Sequence, residues 1–407
     1  MSSRMRPFGH TIPLDEARAR IDDALRPITR LENVTLEVAA GRVLADDIVA
    51  PADVPPFSRA AMDGYAVRAA DTTGASRTAP RVLRSLGRAY TGEVSTTVVE
   101  AGTCLEIATG APMPEGADAV VMVEETTSDD SGEVRVLSPV QPRQHVGRQG
   151  ADIEHGHTVL RVGQVLTPSR LGALAAIGLA DVPVYARPRV AIVSTGNEIV
   201  PPGQALLPGQ IHDVNRFTLA AIVAAHGGVA VTSDAVPDTL DALSAAVDRC
   251  RGDADVLVFS GGSSVGERDL LLDVLRARGE VIFHGIAVKP GKPTAFGLVD
   301  GKPFFGLPGY PTSCLSNGYI LLAPALRQLA RLPAATPRSV RVPTGQRIVS
   351  LPGRYQFYTV RLVDGVALPA FKASGDITSM SNADGYIEIP TDVEIVEQGE
   401  LVDVRLF

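Results

Sequence analysis

Lysine is almost missing from this chain. Of its 38 basic residues only Lys289, Lys292, Lys302 and Lys372 are lysines, and the others are arginines. Where arginine has displaced lysine so widely, a lysine that stays suggests a need for a compact, strongly hydrated point charge. Cysteine is sparse too. Cys104, Cys250 and Cys314 are odd in number and far apart, which argues against a disulfide framework, a zinc site or a paired redox motif and fits a reducing compartment. Positive charge is not in excess. A formal net charge of −8 and a pI near 5.5 argue against general attraction to nucleic acid or anionic lipid, so any anionic ligand must meet a local cluster of cations. Nor is there a long apolar run. The most apolar stretch, Leu171 to Val184, is broken by Asp181 and Pro183 and is shorter than the roughly 20 residues of a membrane span. The first residues carry Arg4, Arg6, Asp15 and Glu16 with no apolar core, unlike a secretory leader. A soluble, cytoplasmic protein is expected.

What is present is ordinary globular material, 45% hydrophobic and 21% charged, in a chain of 407 residues. That length exceeds what one core usually serves, so several domains are expected. Leu14 to Leu25 has apolar residues and charges at helical spacing and stops before Pro27, which predicts one amphipathic helix. From Val34 to about Pro142, short β-branched runs (Thr35 to Val38, Val98 and Val99, Ala119 to Val123, Val134 to Leu137) alternate with Gly, Pro, Ser and Asp. This predicts a small, mainly antiparallel β domain. Val159 to Leu166 resembles a strand pair and Ser169 to Gly178 a short helix.

After Arg187-Pro188 the texture changes to apolar runs without alternation, separated by helical patterns, as buried parallel strands require. The pattern predicts strands at Val190 to Ser194, Val229 to Ser233, Val256 to Ser260, Val281 to Val288, Thr294 to Val299 and Phe304 to Leu307. Helices are predicted at Asn215 to His226, Thr239 to Cys250, Asp269 to Arg278 and Ser313 to Leu329. This is a doubly wound α/β domain. Thr336 to Phe407 returns to short alternating strands with Pro and Gly turns, consistent with a small β-barrel.

In an open α/β sheet the ligand crevice lies beyond the carboxyl ends of the strands, so the loops there carry the functional reading. Thr195-Gly196-Asn197-Glu198 would present a carboxylate at the sheet edge. Gly261-Gly262-Ser263-Ser264-Val265-Gly266-Glu267-Arg268-Asp269 can expose successive N–H groups to an anion such as phosphate, although a plain glycine-rich turn is an equal reading. Lys289-Pro290-Gly291-Lys292-Pro293 sets two ammonium groups on a proline-stiffened backbone. Gly306-Leu307-Pro308-Gly309-Tyr310-Pro311-Thr312-Ser313 opens a helix whose N-terminus offers N–H groups and hydroxyls. With carboxylates at Glu198 and Asp269, the inference is an anionic substrate plus Mg²⁺, and Asp269 also sits where a helix N-cap is expected. Elsewhere, the run from Pro55 to Ala66, ending in Asp63-Gly64-Tyr65, reads as a structured loop, Ile107 to Pro112 as a strand entering a turn, and His155 and His157 as a solvated turn and not a metal site.

The segments PPFSRAAMDGYAV, ATGAPMPEGADAVVM, STGNEI, SGGSSVGERD, KPGKPTAFG and GLPGYPTS together resemble the molybdopterin molybdenumtransferases, the MoeA family that includes the C-terminal domain of gephyrin. The likeness runs in order from about Asp15 to Phe407. It implies an elongated homodimer of four-domain subunits, divided here as 1–50 with 145–185 (a linker and dimerisation domain), 51–144 (an inserted β domain), 186–332 (the α/β molybdopterin-binding domain) and 333–407 (a C-terminal β-barrel). It implies an active site between the α/β domain of one subunit and β domains of its partner. The implied reaction inserts molybdate, or tungstate, into adenylyl-molybdopterin, with Mg²⁺ assisting and AMP leaving. A transient contact with the pterin adenylyltransferase is also implied, and no nucleic acid or membrane.

By the same resemblance the catalytic residues are Asp63, Thr109, Glu198, Asp238 and Asp269, with Asp269 and Glu198 as metal ligands. Substrate falls to Gly261, Gly262, Ser263, Ser264, Lys289, Lys292, Pro293, Ser313, Arg354 and Ser379, and Asp152 matches as a residue that positions a loop. Two positions depart from bacterial members: Gly285 stands where a lysine precedes KPGKP by four residues, and Tyr310 where they have asparagine. The pterin adenylyltransferase is a rival reading because it shares the α/β module and its SGG loop, but the extra β domains with Asp63, Thr109 and Arg354 favour insertion. A scaffold, the other role of gephyrin, lacks its long linker and second enzymatic domain here, and the intact acidic set favours catalysis.

Overall fold

Side chains of the strand Arg189–Ser194 alternate between two cores instead of between core and water. Val190 and Ile192 enter one apolar cluster, Ala191 and Val193 another, and Val256 and Val258 divide from Leu257 and Phe259 in the same way. A strand covered on both faces has no polar side to show, which is why these segments read as unbroken apolar runs. The first cluster is closed by the helices Leu14–Ala24, Asn215–Ala225 and Pro311–Asn317, the last continuing through a π-turn, Gly318–Leu322, into Ala323–Leu329. The second is closed by Leu240–Arg251 and Leu270–Arg278. Helices on both faces make this the doubly wound α/β/α layer expected.

The computed structural model describes residues 11–129, 131–233, 235–261 and 269–407. Contacts divide the chain into one unit of Met1–Glu32, Gly41–Val43 and Val184–Phe407 and a second of Asn33–Ala40 and Leu44–Pro183. In the first unit the six-stranded sheet runs in the order Val229–Thr232, Arg189–Ser194, Val256–Ser260, Lys302–Leu307, Ala295–Val299, Gly279–His284. The first four strands are parallel, and the last two extend the sheet antiparallel. The expected strand Val281 to Val288 is therefore two pieces. It ends at His284, Gly285 takes φ +94°, and the short strand Val288–Lys289 pairs in parallel with Tyr355–Val363 of the C-terminal sheet. Gly285 bends the chain there in a conformation that disfavours any other residue, which gives a physical reason for glycine at this departure.

In the C-terminal region Ser339–Pro343, Leu401–Leu406, Gly385–Ile389, Tyr355–Val363 and Val366–Pro369 pair in series. A bridge between Thr344 and Ala367 joins the two ends of that series into a closed circuit. A closed circuit leaves few free edges, and its interior is the cluster of Ile348, Val360, Ala367, Ile387, Ile389, Val396, Val402 and Val404.

The second unit holds a six-stranded sheet in the order Ala119–Met122, Gly64–Val67, Thr103–Ile107, Arg81–Ala89, Glu133–Val136, Thr126–Ser128. It is antiparallel apart from Arg81–Ala89 beside Thr103–Ile107. Three local expectations fail. Val159 to Leu166 is not a strand pair: it gives one short strand, Thr158–Leu160, whose partner is Ile48–Val49. The strand at Thr35 to Val38 is instead the end of Leu31–Thr35 followed by a 3₁₀ turn, Leu36–Val38, and Val98 with Val99 lies outside any strand. Val99 is buried as a single plug, so β-branching there serves packing and not pairing.

The three cysteines are free. Burial pushes the thiols of Cys104 and Cys314 up to about 12, so both stay protonated and act as small apolar fillers. Among the described residues no helix is long and apolar enough to cross a membrane.

His226, just after Asn215–Ala225, has a lowered pKa because burial penalises the imidazolium and Arg327 repels it. The sign follows from linkage. As pH falls below about 6.5 the unfolded chain binds a proton that the folded His226 resists, so stability declines until pH passes the folded pKa. In urea melts at roughly pH 7.5 and roughly pH 5.5, His226→Gln should lose less stability between the two than the wild type. Equal losses would show that His226 does not contribute to acid sensitivity.

Candidate active site

In the second unit, Asp63 and Thr109 meet. The Asp63 carboxylate accepts the Thr109 N–H at 2.8 Å, and the Asp63 carbonyl accepts the Val123 N–H at 3.0 Å. Both side chains are exposed, so the pair is presented at the surface on a fixed backbone. Gly64, the next residue, has no room for a side chain: an added Cβ would lie 1.9 Å from the Val121 carbonyl oxygen. The Asp152 backbone N–H donates to the Val54 carbonyl at 3.0 Å, a bond that holds the loop through its main chain. The His155 backbone N–H donates to Asp53 at 2.8 Å, and the His157 imidazole lies 3.7 Å from the Glu154 carboxylate on an exposed turn.

In the first unit the loops at the carboxyl ends of the parallel strands are tied together by buried polar groups. Parallel strands end in register, so Thr195 and Gly261 arrive side by side. The Thr195 N–H donates to the Ser260 carbonyl at 2.8 Å, and a Cβ on Gly261 (φ +115°) would lie 2.2 Å from the Thr195 oxygen. Only glycine fits there. Gly262, Ser263 and Ser264 lie outside the described residues. Glu198 is exposed and folds back over Gly196, its carboxylate oxygens 2.7 and 2.8 Å from where a Cβ would sit. Asp238 stands against the same turn, its N–H 3.4 Å from the Asn197 side chain, and its buried Oδ1 has no hydrogen-bond partner among the described residues.

Asp269 caps the helix Leu270–Arg278 as expected: Oδ1 accepts the Leu272 N–H at 3.1 Å, while Oδ2 lies 2.8 Å from His284 Nε2. The lysine loop is braced from behind. Asn317, fully buried, donates to the Gly291 carbonyl at 2.9 Å and to Thr294 Oγ1 at 2.6 Å. Gly291 (φ +105°) presses against that amide with no space for a side chain. Lys289 and Lys292 are half-buried, and Lys289 Nζ is 5.9 Å from the Phe371 ring, a favourable cation–π distance. Because Val288–Lys289 pairs with Tyr355 and Gln356, Arg354 is brought into the immediate neighbourhood of the lysine loop. Pro293 is half-buried beside Lys292.

The helix Pro311–Asn317 is less open than expected. The Thr312 N–H donates to the Ser374 carbonyl at 3.1 Å and its hydroxyl to the Asp376 carbonyl at 2.9 Å, so the C-terminal region uses donors that the sequence pattern offered to a ligand. Ser313 is 4% exposed, and Ser379, with no exposed surface, accepts the Lys372 N–H at 2.9 Å. Tyr310, the second departure, is 66% exposed and offers no side-chain cap to that helix.

Sequence reasoning missed the residues that hold the crevice in shape. Asn215 donates to Ser260 Oγ at 2.7 Å and to the Gly309 carbonyl at 2.8 Å, joining two of the loops. Asp213 accepts from Ser194 Oγ at 2.8 Å and from the Arg216 N–H at 3.1 Å. The available signal was Asp213-Val214-Asn215-Arg216 ahead of an apolar helix, polar residues at a strand-to-helix boundary whose burial a linear pattern does not reveal.

The three regions match three families in order: residues 12–178 "MoeA N-terminal region (domain I and II)", residues 191–328 "Probable molybdopterin binding domain", and residues 341–407 "MoeA C-terminal region (domain IV)". A molybdopterin molybdenumtransferase 2 of Mycobacterium tuberculosis is 38% identical over 94% of this chain and 95% of its own length. The chain belongs to the molybdopterin molybdenumtransferase family. It is therefore a transferase of molybdenum cofactor biosynthesis. A molybdopterin molybdenumtransferase of Haemophilus influenzae is 37% identical over 78% of each chain. Among solved structures, a molybdopterin biosynthesis MoeA protein of Pyrococcus horikoshii superposes with a TM-score of 0.84 at 39% identity, covering 98% of this chain and 99% of that one. A second from the same organism gives 0.80 at 31% identity, covering 98% and 100%. The family thus has this fold over its whole length.

Proposed function

We propose that this transferase inserts molybdate into adenylyl-molybdopterin, with Mg²⁺ assisting and AMP leaving as the phosphoanhydride P–O bond is cleaved. The observation that supports this reading is the pairing of Val288–Lys289 with Tyr355 and Gln356, which brings the backbone of the lysine loop beside a strand that begins one residue after Arg354. In a protein of net charge −8, such a cluster suits a small tetrahedral dianion: lysine and arginine donate charge-assisted hydrogen bonds to its oxygens. Anionic groups of the pterin nucleotide would be taken up along the loops after Ser194 and Ser260.

The donors present suit Mg²⁺. They are hard carboxylate oxygens, at Glu198 and Asp269, and on Asp238, which stands against Asn197, the buried Oδ1 has no hydrogen-bond partner among the described residues, which leaves it available to a cation or its water shell. Among the described residues no three His, Cys, Asp or Glu side chains gather to hold a metal alone. Mg²⁺ needs no such cluster, since it binds through one or two carboxylates, several waters and substrate phosphates. When bound it would neutralise charge developing on the phosphoanhydride. We also read the molecule as a cytoplasmic homodimer in contact with the adenylyltransferase that supplies its substrate, with Asp63 and Thr109 presented to the nucleotide; the net charge and the three sparse, widely separated cysteines support a reducing, aqueous setting.

The test is AMP release from adenylyl-molybdopterin by the purified protein with Mg²⁺, adding molybdate and tungstate in turn. Stimulation by an oxyanion supports insertion and names the metal, whereas tight binding without release would turn the reading to a carrier. In the same assay Lys289→Ala should raise the molybdate concentration for half-maximal release by about tenfold or more, the loss of one charge-assisted hydrogen bond. An unchanged molybdate dependence would remove Lys289 from the oxyanion site.

A further inference from the structure

We infer that His284 is a positioning residue for the carboxylate of Asp269, setting its orientation for the cation; this rests on the reading of Asp269 as a cation ligand. An ionised carboxylate only accepts hydrogen bonds, so the His284 Nε2 that lies 2.8 Å from Oδ2 carries the proton. Oδ1 is held independently by the Leu272 N–H at 3.1 Å. With one donor on each oxygen the carboxylate cannot rotate, yet each oxygen keeps a second acceptor direction for a ligand.

The backbone is built to deliver this imidazole. In Gly279–His284 the register against Ala295–Val299 shifts between Val281 and Phe283. Val281 packs into the cluster under the helix Leu270–Arg278, whereas Ile282 and Phe283 both pack on the opposite side of the sheet. Strict alternation from Val281 would send His284 to that opposite side. The irregularity shifts the phase by one residue, so His284 emerges on the face of Leu270–Arg278, over its N-terminus and Asp269. Re-aiming a side chain is a characteristic use of such bulges. Phe283, 4% exposed and 5.7 Å from the Phe296 ring, anchors the strand end. Five residues on comes Lys289, so the same short segment carries the imidazole that orients the carboxylate and a lysine of the oxyanion loop.

The experiment titrates Mn²⁺, whose free ion is counted by electron paramagnetic resonance, into the whole chain and its variants, each saturated with adenylyl-molybdopterin in the absence of molybdate, because the cation is read as bound between carboxylate and substrate phosphates. The wild type should bind, and Asp269→Asn should not. His284→Ala should weaken Mn²⁺ binding about tenfold or more, the usual size of an orienting partner's effect. His284→Gln, which keeps an N–H donor at a similar reach, should restore affinity to within about threefold of the wild type. The Mg²⁺ concentration for half-maximal AMP release should follow the same order. Wild-type Mn²⁺ affinity in His284→Ala, or a His284→Gln variant as weak as the alanine, would overturn the positioning role while leaving Asp269 as a ligand. Mn²⁺ binding equal in wild type and Asp269→Asn would overturn the cation reading itself, and the positioning role with it.

Discussion

Asp269→Asn is expected to abolish AMP release while the protein remains folded. Capping and ligation separate in this variant, and the 2.8 Å contact with His284 survives if the imidazole turns its unprotonated nitrogen to the new amide. As a cap, Asp269 needs only an oxygen for the Leu272 N–H, and asparagine caps helices about as well as aspartate. The stability change should therefore stay within about 1 kcal/mol. As a ligand it needs negative charge, which asparagine lacks, and loss of one preorganised electrostatic contact at a reacting centre costs roughly a hundredfold to a thousandfold in rate. Release of AMP, followed by chromatography at saturating molybdate and Mg²⁺, should fall by at least that factor while the thermal midpoint moves little. Undiminished turnover would sink the metal assignment. A collapse of the melting transition would show that capping, and not catalysis, is the main role.

Gly64→Ala should have the largest effect on stability. The strand Gly64–Val67 lies inside its sheet, paired on one side with Thr103–Ile107 and on the other with Ala119–Met122. A Cβ at Gly64 would penetrate the Val121 carbonyl, at 1.9 Å from the oxygen and 2.9 Å from the carbon. The obstacle is backbone already fixed in the ladder, so no side-chain rotation relieves it, and the strands must part. Overpacking of this kind costs about 3 kcal/mol or more. Calorimetry should show the β-rich second unit melting well below its wild-type temperature, with Asp63 displaced from Thr109 and AMP release lost. A wild-type melt would mean that the sheet adjusts more readily than its pairing indicates.

Much of the architecture could be read from composition and periodicity. The helix at Leu14, the alternation of buried strands and helices from Val190, and the return to short strands after Thr336 all rest on local patterning, and the structure has them. The failures share one cause. Thr35 to Val38 and Val98 with Val99 are β-branched, but a propensity for strands becomes a strand only where a partner is available, and neither segment has one beyond Thr35. The run Val281 to Val288 is apolar on both sides of His284-Gly285, and hydrophobicity alone does not show that the turn at Gly285 sends its end into another sheet. Within the site, Asp269 as a cap and the lysine pair were legible from residue type and position alone. Asn215, Asp213 and Asn317 were not, because burial turns an ordinary polar residue into a brace, and burial is a property of the assembled chain.

The sequence by itself determined which chemistry is available: two lysines in an arginine-rich chain, carboxylates at loop positions, glycines where no side chain fits, and motifs dense enough to place the chain in its family. Only the tertiary structure decided which of these groups meet. Asp63 reaches Thr109 because two strands pair, Arg354 joins the lysine loop because Val288–Lys289 leaves one sheet for another, and His284 faces Asp269 because a bulge shifts one strand by a residue. Such meetings depend on register and chain reversal between residues distant in sequence, which short-range patterns do not encode.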